Sequence, residues 1–514
     1  MYAHILSATT VGVNARIVQV EVDAAFGMVN FYIVGLPDAA IRESSKRILS
    51  ALKNSGFRLP NKKITVNLAP ADLKKEGTLF DLPIAIGILM SMGMLEITEQ
   101  IRKETLFLGE LSLDGSIRFV KGALAIAYDA QSNNIKRIIL PKANAPEVSL
   151  IEGVEVVGVD HLTELVAYMR GEITIEPTRG DFNKLVEAAH SFGVDFAQVK
   201  GQSQAKRALQ ITAAGRHNIL FIGSPGSGKT MLAKRLPTIM PKMSFEEVLE
   251  TTKLYSVCGK LDGQALITQR PFRAPHHTIS QAGLIGGGTY PQPGEISLSH
   301  HGILFLDELT EFKRDTLESL RQPLESQMVH IARVHQSISF PASFLLVAAL
   351  NPCPCGFFGD KNRLCTCTTE QVERYAAKLS GPLLDRIDLQ ISVQSIEYDT
   401  IKNAQQESES SAEMFARVQQ GLDMQFKRFG SARKFNSTMT PDEIEQFCVL
   451  TPSAEAILKR AFDKLRLSMR GYHKVLKVAR TIADLEEAAV IDAVHIREAI
   501  LYRSLDQHVE QQRG

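Results

Sequence analysis

The sequence predicts a multidomain α/β protein: a mixed α/β domain comes first, an α/β core with a parallel sheet follows, and an all-helical domain comes last. The length of 514 residues leaves room for about three domains. Residues 219–222 have the pattern of an apolar strand, and a glycine-rich turn and a helix that begins near Lys229 follow, as in a phosphate-binding βα unit. Residues 440–505 place apolar side chains at helical spacing, which favours a helical C-terminal domain.

The composition excludes several classes of protein. Apolar residues make up 44% of the chain and charged residues 22%, which is typical of soluble globular proteins and unlike disordered chains. The net charge of +1 creates no overall attraction to nucleic acid or anionic membranes, so a DNA-binding surface must be local. The longest apolar run, 82–95, is shorter than the ~18 residues of a membrane span. We therefore expect no membrane association and, since no secretory signal precedes the first domain, a cytoplasmic location.

The first domain is predicted from alternating and helical patterns. Residues 16–22 alternate polar and apolar side chains, as does a strand with one solvent-facing side, and residues 31–34 and 64–67 look similar. Between them, residues 38–53 place apolar side chains at helical spacing, and Gly56 follows as a stop signal. With looser polar stretches taken as boundaries, the predicted parts of the chain are 1–171, the mixed α/β domain; 172–197, a linker; 198–395, the α/β core; 396–436, a helical connector; and 437–514, a helical lid.

One segment matches the phosphate-binding loop G-x-x-x-x-G-K-[ST]. Its residues are Gly223, Ser224, Pro225, Gly226, Ser227, Gly228, Lys229 and Thr230. The glycines allow backbone N–H groups to converge on phosphate, Lys229 is expected to contact the β- and γ-phosphates, and Thr230 is expected to bind Mg²⁺. An ordinary glycine-rich turn is the alternative, but the four fixed positions arise by chance in only about one chain in fifty of this length. The sequence thus predicts ATP and Mg²⁺ as cofactors.

Polar residues that follow two further apolar strands complete the predicted catalytic set. Asp307 and Glu308 follow the strand at 303–306; Asp307 is expected to hold Mg²⁺ and Glu308 to polarise the attacking water. Asn351 follows the strand at 344–350 and is expected to position water near the γ-phosphate, although a turn asparagine would look the same.

Two arginines are candidates for neutralising the charge that develops on phosphate. These are Arg386 and Arg470, and each could instead form a structural salt bridge. Sequence spacing does not separate the two roles.

Four of the six cysteines are crowded into fifteen residues. Cys353, Cys355, Cys365 and Cys367 supply four soft ligands from two short turns, which suits a structural tetrahedral Zn²⁺ site; free thiols or a disulfide are the alternatives. Cys258 and Cys448 are expected in the core. The neighbouring histidines His276 and His277 are expected to be a structural pair rather than metal or DNA ligands.

Together these motifs resemble those of an AAA+ ATPase of the magnesium-chelatase-like branch. Nearly the whole chain resembles the ComM/YifB family, in which a Lon-like N-terminal domain is joined to such an ATPase. The most specific stretches are Arg273–Gly283, Asn351–Gly356 and Ala479–Leu485.

The resemblance implies roles that spacing does not supply. Arg386 is implied to be an arginine finger that acts across a subunit interface, and Arg470 the second sensor on the helical lid, with Arg480 as the runner-up. A finger acting in trans implies a homo-hexameric ring. The family further implies an ATP-driven DNA motor, namely a branch-migration helicase that promotes the integration of incoming DNA in natural transformation, with recombination proteins as candidate partners. A magnesium-chelatase-like or protein-remodelling ATPase that does not act on DNA is the alternative, as are an ATP-dependent protease and a scaffold.

Two inserted segments are expected to contact DNA. One is the glycine-rich stretch 283–294, and the other is a hairpin at 328–340; related ring helicases project such inserts into the pore. The candidate contacts to backbone phosphates, which would be independent of sequence, are Lys253, Arg273, Arg333 and His335. A packed surface hairpin is the alternative.

The first domain resembles a Lon-type protease that has lost its catalytic residues. Residues 68–83 resemble the serine-bearing segment, but Thr78 to Asp81 stand where the serine is expected. Ile126 stands at the expected lysine, and Lys121 is displaced. Because a serine–lysine dyad needs the amine beside the hydroxyl, we predict that the domain is protease-inactive and has an assembly or substrate-guiding role.

Overall fold

The computed structural model describes residues 2–27, 30–75, 77–180, 182, 192–261, 264, 266–288, 291–333, 336–360, 363–394 and 409–503. The described residues form two compact units. The first unit lies within 1–189 and 245–268, and the second lies within 190–244 and 269–514. The predicted domain limits placed 245–268 in the core domain, whereas this segment belongs to the first unit.

The first unit is built on a seven-stranded mixed sheet of order β3-β4-β2-β1-β5-β8-β9. Its strands are β1 (Tyr2–Val11), β2 (Asn14–Phe26), β3 (Asn30–Val34), β4 (Lys62–Ala69), β5 (Thr105–Phe107), β8 (Arg137–Pro141) and β9 (Glu155–Val159), with the short pair β6 (Glu110–Leu111) and β7 (Ile117–Arg118) beside it. The β1/β2 and β2/β4 pairs are antiparallel, whereas β3/β4, β1/β5, β5/β8 and β8/β9 are parallel. The sheet therefore contains both parallel and antiparallel pairs, within a domain that the sequence predicted to be mixed α/β.

Seven helices of the first unit lie in the described residues. They are α1 (Ala39–Asn54), α2 (Asp81–Ser91), α3 (Glu99–Glu104), α4 (Ala123–Gln131), α5 (Ala145–Val148), α6 (Leu162–Met169) and, from the later segment, α9 (Phe245–Cys258). Asp38 caps α1 by accepting a hydrogen bond of 2.8 Å from the Ile41 N–H, which matches the predicted helix start. Leu249 of α9 packs into the core of the first unit.

The second unit is built on a five-stranded parallel sheet of order β11-β14-β17-β10-β18. Its strands are β10 (Ile219–Ile222), β11 (Phe272–Arg273), β14 (Ile303–Leu306), β17 (Leu345–Leu350) and β18 (Leu389–Ser392). Every neighbouring pair is parallel, and β17 lies between β14 and β10. The central strands are buried, since helices cover both faces of such a sheet. Their carboxyl ends lie along one edge of the sheet.

Except for the first, the helices around the sheet of the second unit are short. They are α7 (Ser203–Gly215), α8 (Lys229–Arg235), α10 (Gln281–Ile285), α11 (Glu295–Leu298), α12 (Arg314–Glu318), α13 (Arg321–Ser326), α14 (Thr369–Ala376) and α15 (Gly381–Leu384). The chain then continues into five helices, α16 (Ser411–Phe429), α17 (Pro441–Phe447), α18 (Pro452–Lys464), α19 (Met469–Leu485) and α20 (Ala493–Leu501). The helical periodicity of the C-terminal region is thus confirmed.

Both predicted insertions contain antiparallel hairpins. The glycine-rich segment forms β12 (Gly286–Gly287) and β13 (Gln292–Pro293). The second hairpin pairs β15 (Met328–Arg333) with β16 (Gln336–Pro341). Val329, Ile331 and Phe340 are buried, so this hairpin is packed at its base. Among the described helices, none is long and apolar enough to cross a membrane.

Candidate functional site

The glycine-rich loop connects the carboxyl end of β10 to the first turn of α8, where the sequence predicted it. Gly226 and Gly228 have φ values of 82° and 93°, in the left-handed region that favours glycine. A Cβ atom on Gly223 would lie 2.2 Å from the carbonyl oxygen of Val393, so only glycine fits there. The Gly223 N–H donates to the Leu350 carbonyl oxygen over 3.2 Å, which links the loop to the end of β17.

Lys229 is buried at the mouth of this loop. Its Nζ donates to the carbonyl oxygens of Gly223 (2.6 Å) and Ser224 (3.0 Å) and to Oδ1 of Asn351 (3.1 Å). Burial lowers the pKa of Lys229, while the carboxylates of Asp307 and Glu308 act in the opposite direction. Asn351, the predicted sensor, is therefore in direct contact with Lys229 of the loop.

Thr230 and Asp307 also meet. The hydroxyl of Thr230 donates to Oδ2 of Asp307 over 2.6 Å, although the two residues come from different βα connections. Oδ1 of Asp307 accepts the backbone N–H of Glu308 over 3.0 Å. A hydroxyl and a carboxylate side by side are the hard oxygen ligands that Mg²⁺ prefers, so the donor set fits the metal that the sequence predicted.

Glu308 lies beside a histidine that the sequence analysis treated as structural. Its Oε2 is 3.6 Å from Nδ1 of His277, and the rings of His276 and His277 are 4.1 Å apart between centroids. Glu308 itself has φ of 51°, a left-handed conformation unusual for a residue other than glycine. The sequence signal available for His277 was its place in the specific stretch 273–283.

The two predicted phosphate-neutralising arginines meet at one carboxylate. Nη2 of Arg386 is 2.5 Å from Oε1 of Glu325, and Nη2 of Arg470 is 3.7 Å from the same oxygen. Glu325 lies in α13 and was not predicted. No local pattern pointed to it, because the three residues come from distant parts of the chain.

Arg480, the runner-up for the second sensor, is enclosed. Its side chain is 1% exposed, against 66% for Arg470. Nε of Arg480 is 3.0 Å from Oδ1 of Asp484, and Nη1 donates to the Ala489 carbonyl oxygen over 2.8 Å. Arg428 bonds the second oxygen of Asp484 over 2.9 Å. Arg480 is thus part of a buried ion network that holds the helical region together.

The four clustered cysteines converge. Sγ of Cys353 is 3.3 Å from that of Cys355 and 3.7 Å from that of Cys365, and the Cys355 and Cys365 sulfurs are 3.5 Å apart. Cys367 completes the group, with all four sulfurs within 4.8 Å of one another. Because a Zn–S bond of about 2.3 Å places tetrahedral sulfurs roughly 3.8 Å apart, this donor set fits Zn²⁺.

The two remaining cysteines lie apart from the cluster. Cys448 is buried in the core of the second unit, whereas Cys258, which we also expected in a core, is half-buried.

The predicted DNA contacts are placed less favourably. Lys253 is 8% exposed, with Nζ 3.6 Å from Oδ1 of Asp129 and 4.1 Å from the ring centroid of Tyr128. A lysine buried in this way does not reach a DNA phosphate, so we withdraw Lys253 from the candidates. Arg273 is held by Glu295 through two hydrogen bonds of 2.6 and 2.8 Å. His335 lies outside the described residues, as does the side chain of Arg333.

The described contacts of the Lon-like segment pair its hydroxyl with an acid and its buried acid with an arginine. The Thr78 hydroxyl donates to a carboxylate oxygen of Glu110. Asp81 is buried and bonded by Arg47 at 3.0 Å; burial raises its pKa to about 6, while Arg47 opposes the rise. Ile126 is fully buried. These contacts support the prediction of a protease-inactive domain.

Comparisons with known proteins cover both units. Three family models match: magnesium chelatase, subunit ChlI, over residues 195–401; subunit ChlI of Mg-chelatase over residues 20–144; and the magnesium chelatase subunit ChlI C-terminal model over residues 408–503.

Two relatives match nearly the whole chain. The chain is 43% identical over 498 residues to the uncharacterized protein YifB of Escherichia coli, and the match covers 96% of each protein. It is 43% identical over 508 residues to the competence protein ComM of Haemophilus influenzae, covering 98% of this chain and 97% of ComM. A stretch of 52 residues is 42% identical to the archaeal Lon protease of Archaeoglobus fulgidus, covering 10% of this chain and 8% of that protease.

Proposed function

The chain belongs to the magnesium-chelatase-like AAA+ family that includes YifB and ComM, as its motifs predicted, and on this premise we propose that it is an ATP-driven motor that moves branched DNA. The observation that carries the proposal is the convergence of Lys229, Thr230, Asp307 and Asn351 at adjacent strand ends. A single turn rich in glycine would not bring an acid and an amide from two other strands to its lysine. The arrangement is that of a nucleotide hydrolysis site.

Each side chain has a distinct task in the proposed reaction. The backbone N–H groups of residues 223–228 and the first turn of α8 bind the phosphates, and Lys229 supplies positive charge to them. Thr230 and Asp307 would hold Mg²⁺, which when bound neutralises developing phosphate charge. Glu308 accepts a proton from the attacking water, and the nearby His277 orients the carboxylate. Asn351 positions the water.

The ring is part of the proposal because the finger role proposed for Arg386 requires a neighbouring subunit. We assign Arg386 as a finger that stabilises the transition state in a neighbouring subunit and Arg470 as a sensor on the helical region, in a homo-hexamer. In the single chain both arginines lie at Glu325. Engagement with a neighbour's nucleotide would therefore require Arg386 to leave that carboxylate.

DNA is the proposed substrate, bound through its backbone and independently of sequence. The relative ComM is named a competence protein. For this chain we propose the integration of incoming DNA by branch migration during natural transformation. The proposed contacts are the inserted hairpins together with Arg273, Arg333 and His335. The proposal includes a cytoplasmic location, recombination proteins as partners and one structural zinc in the cysteine cluster.

A motor of the chelatase type that does not act on DNA is the second candidate. It is favoured by the three ChlI models, which together match most of the chain. The two candidates share the ATPase site and differ in what the motor moves. They are separated only by a measurement on DNA.

The test is ATP-dependent branch migration on a synthetic four-way or three-strand junction, with Lys229→Ala and Arg386→Ala as variants. We expect joints to move with the wild-type protein and not with either variant, and a mixture of the two variants to regain part of the ATP turnover, because each can supply what the other lacks across an interface. If ATP turns over while no joint moves and DNA leaves the turnover rate unchanged, the DNA motor is wrong and the chelatase-type candidate stands.

A further inference from the structure

The turn that carries two of the four cysteines packs directly on the phosphate-binding loop. Gly356 follows Cys355 and is buried, with φ of 86°. A Cβ atom on Gly356 would lie 2.6 Å from Cδ and 2.8 Å from Cγ of Pro225, so the Gly356 backbone touches the proline ring. No side chain fits between them without moving one of the two loops.

This contact adds to two hydrogen bonds between the phosphate-binding loop and the end of β17 with the residue that follows it. The Leu350 carbonyl oxygen accepts the Gly223 N–H, and Asn351 accepts from Lys229. Gly356 then covers the opposite part of the loop at Pro225. The 353–356 turn therefore packs against the loop that would receive the phosphates, and a shift of this turn would remove its contact with Pro225.

The cysteines attach this turn to a second segment of the chain. The Gly356 N–H donates to the Cys353 carbonyl oxygen over 3.0 Å, which closes the turn on itself but does not attach it to another element. The attachment comes from the sulfurs: Cys365 and Cys367 approach from the segment just before α14, and the Cys355 N–H donates to Sγ of Cys367 over 3.4 Å. Thr368, the next residue, caps α14 with a reciprocal capping box.

We propose that zinc bound by Cys353, Cys355, Cys365 and Cys367 clamps the 353–356 turn against Pro225, so that zinc occupancy sets the affinity of the protein for ATP. Gly356 is the positioning residue that transmits the clamp to the phosphate-binding loop. A metal shared by both cysteine pairs joins the turn to the start of α14, and four thiols without a metal have no comparable attraction to hold them together. The inference rests on the proposed ATP site and adds that zinc regulates the affinity of this site.

Two glycines of the same turn region give a matched pair of variants. Gly356 and Gly359 both have positive φ, 86° and 76°, so alanine introduces a similar backbone strain at each. A Cβ on Gly359 would meet nothing within 4 Å, whereas a Cβ on Gly356 would meet Pro225. The difference between Gly356→Ala and Gly359→Ala therefore isolates the contact with the phosphate-binding loop.

The first experiment measures zinc content, thermal unfolding and the Kd of a fluorescent ATP analogue for the full chain and both variants. We expect about one zinc per chain in all three proteins, a Kd raised at least tenfold in Gly356→Ala, and a Kd within about twofold of wild type in Gly359→Ala. The value of kcat at saturating ATP should fall much less than kcat/KM in Gly356→Ala. Equal Kd values in the two variants would overturn the proposal.

The second experiment removes the metal from the wild-type protein with a zinc-selective chelator in the presence of excess Mg²⁺. We expect the Kd for the ATP analogue to rise at least tenfold and to recover when stoichiometric Zn²⁺ is added back. In Gly356→Ala the same treatment should change Kd by less than about threefold, because the contact is already displaced. An unchanged Kd in zinc-free wild type, or less than about half an equivalent of zinc in a protein that binds ATP well, would overturn the clamp and leave the proposed ATPase intact. A failure of the ATP site itself would instead appear as no analogue binding by any form.

Discussion

The two units of the chain both combine helices with a sheet that contains parallel strands, yet their polar side chains are arranged differently. In the second unit, Lys229 contacts Asn351 and Thr230 contacts Asp307, so groups from three strand ends meet at one place. In the first unit, Thr78 bonds Glu110, and the buried Asp81 is paired with Arg47. Each of these four side chains is paired within the unit, and none of these contacts brings an amine to the hydroxyl.

This difference shows that a similar architecture does not imply a similar chemistry. A nucleophile needs its activating base within hydrogen-bonding distance, and a phosphate site needs donors that converge on one point. In the second unit polar groups converge at the phosphate-binding loop, whereas the contacts named for the first unit pair a hydroxyl with an acid. We therefore expect substitutions at the contacts of Lys229 and Thr230 to change catalysis, and a substitution at Thr78 to leave ATP turnover nearly unchanged.

The largest expected effect is on catalysis at Glu308. Glu308→Gln removes the base for the attacking water, so ATP turnover should fall by about 10²–10⁴-fold while the Kd of an ATP analogue changes little. The matched control is Thr78→Ala in the first unit, which should leave turnover within about twofold. Loss of turnover in Thr78→Ala, or a Glu308→Gln protein that still hydrolyses ATP, would reverse the comparison.

The next effect compares two arginines on the same helix of the second unit. Arg480→Leu breaks a buried ion pair with Asp484 and should lower the free energy of unfolding by about 3 kcal/mol, since Arg428 still pairs with that carboxylate. Arg470→Leu changes an exposed side chain and should cost less than about 0.5 kcal/mol while reducing ATP turnover.

Urea unfolding and steady-state ATPase assays check this pair. If Arg470→Leu unfolds as early as Arg480→Leu, or retains full turnover, then Arg470 is not a sensor. The result distinguishes a structural arginine from a catalytic arginine within the second unit, which is the unit expected to be catalytic.

The smallest expected effect is a pH-dependent stability in the first unit. Burial raises the pKa of Glu147 to about 7, although Asn144 donates to it over 2.7 Å. A carboxyl group whose pKa is higher in the folded state binds more protons there, so its contribution to stability is full below pH 4.5 and is lost as the pH rises through about 7. Glu147→Gln should leave stability at pH 4.5 nearly unchanged and raise it by about 1–3 kcal/mol at pH 8.5.

Urea midpoints of the first unit at the two pH values check this prediction. Glu155→Gln, at a partly exposed carboxylate paired with Arg137, is the control and should keep the pH dependence of the wild type. A Glu147→Gln protein that is no more stable at pH 8.5 than wild type would show that Glu147 is readily ionised in the fold.

Much of the fold could be predicted because its signals are local. The strands at 219–222 and 303–306 were predicted with the bounds that the structure has, since short, uniformly apolar runs beside turn residues are typical of buried parallel strands. The helical spacing predicted over 38–53 matches α1 closely, because the period of an amphipathic helix depends only on near neighbours, and Asp38 is its N-cap in the structure.

The assignment of α9 to the first unit could not be predicted in the same way. Its apolar side chains show a helix with a buried face but not which core receives that face. Lys253, which lies on α9, was misjudged for this reason: a lysine in a polar helix is usually exposed, and only the packing of α9 beside Asp129 buries it.

The phosphate-binding loop, the strand ends that carry Asp307 and Asn351, and the cysteine donor set could be predicted from the sequence, because they depend on residue type and on spacings of a few residues. The exposure of Arg470 and burial of Arg480, the contact of His277 with Glu308 and the contact of Gly356 with Pro225 are visible only in the folded chain. The physical reason is that helix and strand periodicity fixes neighbours within one element, whereas contacts between distant segments follow from how their buried faces pack together.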